Sequence, residues 1–160
     1  MHGFVFVTWE RYLADRFGPR LLEEYRAVLG ETGKNTPLMD RRYDDATLLA
    51  GVATAVRLTA LPADALLLEY GRYFLLNGLT HRICSYLLNQ VQSGLDLLLV
   101  MRNAHAQIGS AAGITPPLFQ YEQTPGDPDG LVLLYDSPRK LCAVLKGSIE
   151  GAARRYGQTV

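Results

Sequence analysis

Apolar residues recur at helical spacing from the start of the chain. Val5, Phe6, Trp9, Tyr12, Leu13 and Phe17 form one stripe, which predicts an amphipathic helix. Gly18-Pro19 ends it, and a proline is well placed to open the next helix. Leu21, Leu22, Tyr25, Val28 and Leu29 continue an inward stripe up to Gly30, a natural C-terminal stop. Residues 32–40 are expected as a loop. Helix resumes at Asp44 or Asp45, with Leu48, Leu49, Val52 and Val56 turned inward. Pro62 predicts the start of another helix through Leu66, Leu67, Tyr70, Phe74 and Leu75, which Gly78 interrupts.

A shorter helix is expected over 83–91, and a longer one over about 95–108. On the longer one, Leu97, Met101, Ala104, His105 and Ile108 share a face. Gly109 and Gly113 loosen its end, and Thr115-Pro116-Pro117 forbids further helix. The pattern then changes period. A strand over 118–123, a turn from Pro125 to Gly130 and a returning strand over 131–135 make a hairpin. Ser137 is expected to cap a last helix, with Pro138 at its first position, running to about Tyr156. The fold class is therefore α+β: mainly helical, with a C-terminal antiparallel hairpin and a final helix.

Composition narrows the function. At 160 residues, 48% of them hydrophobic, one domain over 1–160 with a single sizeable core is expected. The formal net charge is zero, so the electrostatic footprint of a nucleic-acid binder is missing. No apolar run reaches membrane-spanning length, and the run from Gly3 to Val7 is too short for a signal peptide. The expectation is a cytoplasmic protein with no membrane and no nucleic acid as partner. Cys84 and Cys142 are too few for a disulfide framework, and buried structural thiols are the default for both. His2 and His81 are not spaced with another ligand. No nucleophile–base pair or phosphate loop is visible, so an enzyme is not expected.

Two features carry candidate chemistry. His105 stands alone on an apolar helix face, and a neutral imidazole is a good iron ligand. A satisfied core histidine explains the same pattern. Tyr135, Ser137 and Arg139 offer two hydroxyls and a guanidinium fork at alternate positions, a set suited to carboxylates. Their local reading is a strand end, a helix cap and a solvated first-turn arginine. Arginine in a first turn opposes the helix dipole, an objection that a bound anion would remove. Taken together, the two features suit a flat, apolar, iron-bearing ligand with two carboxylate tails, as haem is.

The chain resembles the haem-nitric oxide/oxygen binding (H-NOX, HNOB) family, the sensor domain of soluble guanylate cyclase and of bacterial NO sensors. The resemblance runs over most of the chain. It rests on Met1-His2-Gly3 through Thr8-Trp9, Gly71 to Phe74, His105, Thr115-Pro116-Pro117, the Y-x-S-x-R pattern at Tyr135, Ser137 and Arg139, and Gly147 to Gly151. It implies haem b (iron protoporphyrin IX) with His105 as the sole protein ligand to iron. Tyr135, Ser137 and Arg139 would hold the propionates, and Pro117 would press on the macrocycle. Val5 and Trp9 would line the pocket, although ordinary helix-core packing explains them equally. Met101 shares the His105 face and belongs to the same candidate set. Oxygen-binding members carry a tyrosine five residues past the motif arginine, where this chain has Val144. That implies a sensor of NO and CO that discriminates against oxygen.

The implied mechanism is release of His105 when NO binds, signalled to a partner such as a histidine kinase or a cyclic-nucleotide enzyme. Arg102-Asn103-Ala104 lacks the acidic residue often found before the family's histidine. Family domains usually continue with two more strands, so the hairpin is expected to leave an edge exposed. An interaction module that kept the fold, or a binder of another tetrapyrrole, are the alternatives.

Overall fold

The computed structural model describes residues 1–31, 36–127 and 130–160, with the side chains of 108, 111 and 112 left outside the description. Thr32 of the expected loop, Pro128 and Asp129 of the expected turn, and the Ile108 side chain therefore lie outside it. Eight helices and two strands follow in order among the described residues: α1 Gly3–Phe17, α2 Pro19–Leu29, α3 Asp45–Thr59, α4 Ala63–Leu76, α5 Gly78–Ile83, α6 Ser85–Leu88, α7 Gly94–Ala112, β1 Leu118–Gln123, β2 Leu131–Asp136 and α8 Cys142–Arg155.

Local chemistry sets most boundaries. The His2 imidazole accepts the Phe4 amide and caps α1. Gly18, at φ +90°, makes the sharp break before Pro19 opens α2. The side chain of Asn77 accepts the amides of Leu79 and Thr80 and so begins α5. This cap overturns the single helix expected over 83–91. Ile83 instead ends α5, α6 is one short turn, and Val91 lies beyond it. The α7 helix runs straight through Gly109 and stops where Gly113 takes a left-handed conformation.

Two cores organise the packing. The first joins α1 to α4 around Trp9, Leu13, Ala55, Leu66 and Tyr70, with Trp9 fully buried. The second lies between α4, α6, α7 and α8 around Leu75, Leu88, Leu97 and Ala152. Helix α8 bridges them by lying almost backbone to backbone on α4. A Cβ on Gly71 would strike the Val144 carbonyl oxygen, and one on Gly147 would strike that of Leu68. Ser148 is buried in the same seam, and Arg72 pairs with Glu150 across it.

The hairpin pairs Leu118 with Asp136 and Gln123 with Leu131. Phe119 points inward, while Leu118, Val132 and Leu134 face out. Two inward assignments and one helix boundary differ from expectation. Val28 is 55% exposed and Leu49 54%, because each sits at the shoulder of its helix's apolar stripe. The last helix begins at Cys142, not at Ser137 or Pro138. Residues 137–140 form a tight turn instead, closed by the Lys140 amide on the Ser137 carbonyl, with Lys140 at φ +50°.

Candidate cofactor site

The α7 helix presents His105 toward β1. Its Nδ1 lies 2.8 Å from the Met101 carbonyl one turn back, the geometry of a donated N–H. That fixes the neutral tautomer with its lone pair on Nε2, as a metal-ligating histidine requires. Burial lowers the His105 pKa and outweighs the Met101 hydrogen bond, which acts the other way. The ring stays neutral at ordinary pH.

Phe119 links His105 to the motif. Its ring lies 5.2 Å from the imidazole and 5.4 Å from the Tyr135 ring. Strand alternation explains this, since Phe119 and Tyr135 are directly paired across the hairpin. Burial raises the Tyr135 pKa against a lowering hydrogen bond from Ser137, so the phenol remains a donor. Ser137 is buried and accepts the Arg139 amide at 3.3 Å. Its hydroxyl shapes the motif turn and does not cap a helix.

Arg139 is therefore not a first-turn residue opposing a dipole. Its side chain folds back, keeping only 10% exposure. Nη1 donates to the Thr115 carbonyl at 2.9 Å. Nε lies 2.9 Å from Asp45 Oδ2, an ion pair. Asp45 Oδ1 takes the Met1 ammonium at 2.9 Å. Burial pushes the Asp45 pKa up, but the ammonium and Arg139 together hold it below the usual carboxylate range. Beside this group lies a cavity of about 360 Å³, whose lining includes Met1, Arg42, Asp44, Asp45, Thr115 and Arg139.

The remaining candidates divide. Val5 and Val144 pack partly buried on the first core with Trp9. Trp9 is fully buried there. Pro117 is half-buried just ahead of β1, and Met101 contributes its carbonyl to His105. Sequence reasoning missed Phe119 and Asp45 as site residues. The inward register of β1 signals Phe119, whereas Asp45 shows locally only as a helix start.

A family model described as Haem-NO-binding (HNOB) matches residues 2–160. The chain belongs to the Haem-NO-binding family. Solved structures show the same fold in other H-NOX proteins. An H-NOX protein from S. oneidensis in the Fe(II)NO state shares 19% identity, with a TM-score of 0.83 over 99% of this chain and 87% of that one. The Fe(II) unliganded H-NOX protein from K. algicida shares 17%, at 0.79 over 98% and 84%. A mutant of the T. Tengcongensis H-NOX protein shares 21%, at 0.83 over 98% and 84%. No curated protein matches.

The residues of this Haem-NO-binding chain fit the group that the family is described by. His105 offers a neutral Nε2, and the two hydroxyls and guanidinium of Tyr135, Ser137 and Arg139 are a donor set suited to carboxylates. The cavity beside Arg139 is mostly polar and does not include His105 in its lining, so it suits the carboxylate end of the ligand alone. Among the described residues, no single helix is long and apolar enough to cross a membrane.

Proposed function

We propose that the protein is a haem-based sensor of NO and CO that signals to a partner protein and catalyses nothing itself. The observation that supports this reading is the chain of rings His105–Phe119–Tyr135, in which Phe119 lies between the neutral imidazole and the tyrosine of the Y-x-S-x-R pattern. Bound haem b would supply a gas-binding iron. His105 would hold it through Nε2, while Tyr135, Ser137 and Arg139 would hold its carboxylates. Pro117 and Met101 would flank the ring on the His105 side. Val5, Trp9 and Val144 would form the opposite wall. Val144 carries no hydroxyl to stabilise bound oxygen, which supports discrimination against that gas.

The output is movement of α7. The Tyr121 hydroxyl donates to the Leu98 carbonyl at 2.6 Å and couples α7 to the hairpin. Loss of the His105 tether would shift α7 against β1 and change the surface offered to a histidine kinase or a cyclic-nucleotide enzyme. The whole chain is read as one domain acting in the cytoplasm, where Cys84 and Cys142 remain free thiols.

An anaerobic visible spectrum of the reduced, haem-loaded protein, taken with and without NO, tests this reading. One Soret band moving to shorter wavelength with NO, with no oxy spectrum in air, is the expected result. Absence of haem uptake by a folded protein would overturn it in favour of an interaction module.

A further inference from the structure

The motif arginine is already held by a residue distant from it in the chain. Asp45 opens α3, and an acidic residue in a first turn is stabilised by the helix dipole. Its carboxylate is thus fixed on a rigid element, 2.9 Å from Arg139 Nε. The second contact, from the Thr115 carbonyl to Nη1, comes from the segment leading into β1. A guanidinium carries five N–H groups in a planar fork. With Nε facing Asp45 and one Nη1 proton on Thr115, the remaining fork protons are left for another acceptor.

Charge agrees with this division of labour. The lining of the cavity brings three cations together, the Met1 ammonium, Arg42 and Arg139, against two carboxylates, Asp44 and Asp45. The group is one positive charge in surplus, so a further carboxylate is electrostatically welcome there. The turn over 137–140 holds the Arg139 backbone, through the Lys140 amide on the Ser137 carbonyl and the Arg139 amide on Ser137 Oγ. Apart from Thr115, Asp45 is the group that aims the side chain.

We propose that Asp45 is a positioning residue for Arg139: it fixes the guanidinium from the α3 side so that the rest of the fork meets a ligand carboxylate. This ties the carboxylate seat to the N-terminal helices. It deepens the tetrapyrrole reading given above and rests on it. The rival role for Asp45, an internal anion that competes for the arginine, predicts the opposite sign.

The test uses iron-free protoporphyrin IX and its dimethyl ester, titrated against the fluorescence of Trp9, the single tryptophan. Omitting iron removes any contribution from His105 ligation. Wild type is expected to prefer the free acid. Asp45→Asn should weaken the free acid by roughly five- to tenfold, on the scale of one charge-assisted hydrogen bond, and leave the ester unchanged. Arg139→Gln should do the same, and the double variant should match Arg139→Gln alone. Tighter acid binding, unchanged binding, or equal loss for acid and ester in Asp45→Asn would overturn the proposal. If wild type binds neither probe, the tetrapyrrole reading fails, and a double-mutant cycle in urea decides the Asp45 role separately. Coupling between the two substitutions in the free protein retains it, and additivity overturns it.

Discussion

Gly147→Ala isolates the close approach of α8 to α4. Gly147 sits inside α8, where alanine gains about 1 kcal/mol over glycine in helix propensity. Against this, the new methyl would strike the Leu68 carbonyl and would lie 3.0 Å from the Arg72 amide nitrogen. Both are backbone atoms of a helix and cannot rotate away. Relief requires α8 to lift off α4, which also opens the contacts of Gly71 with the Val144 carbonyl and of Gly151 with Arg72. Overpacking of a tight interior costs about 1–3 kcal/mol, and immobile neighbours place this case at the top of that range. The net loss is about 2 kcal/mol, or roughly 4–8 °C in melting temperature for a domain of this size. Urea denaturation gives the value directly, as a lower midpoint at unchanged slope. Gly78→Ala is the control, because a Cβ there meets nothing within 4 Å. It should be neutral or slightly stabilising. A Gly147→Ala protein as stable as wild type would refute the backbone-to-backbone seam.

Other outcomes follow from single contacts. His105→Ala should abolish the five-coordinate spectrum of the reduced, haem-loaded protein while leaving its melting curve cooperative; retention of the wild-type spectrum would remove His105 as the ligand. Tyr70→Phe removes a hydroxyl bonded to the Val5 carbonyl at 3.0 Å and to Thr8 Oγ1 at 2.8 Å. Thr8 keeps its bond to the Phe4 carbonyl, so the loss in urea should be near 1 kcal/mol, and a loss several times larger would contradict that compensation. Burial, and then the neighbouring Glu10 charge, raises the Glu31 pKa from 4.5 to about 7. The folded state then binds the proton more tightly than the unfolded one, so stability falls as pH rises through that window. Glu31→Gln should flatten the dependence of melting temperature on pH between those values, and an unchanged slope would exclude Glu31 as its source.

Helices α1 to α4 and the hairpin were legible because each carries a local periodic signal bounded by proline, glycine or a cap. The strand β1 falls on the residues that alternation and the preceding proline pair predict. Misreadings cluster where a local rule met a distant partner. Ser137-Pro138 has the local form of a helix start. The Arg139 side chain is instead drawn back to Thr115 and Asp45, and the turn that allows this delays α8 to Cys142. The break between α5 and α6 was lost because the Asn77 cap lies ahead of the window that looked helical.

The sequence by itself determined the fold class, the family and the residue types at the site, because periodicity, turn chemistry and motif spacing are short-range properties. Only the tertiary structure decided which side chains meet. Asp45 and Arg139 are far apart in the chain and carry no joint local signal, yet they face each other at 2.9 Å because the start of α3 and the motif turn meet at the same cavity. The ring of Phe119 between His105 and Tyr135, and the glycine seam between α4 and α8, are likewise products of packing. Contacts between distant segments depend on how whole elements pack against one another, and no local window contains that information.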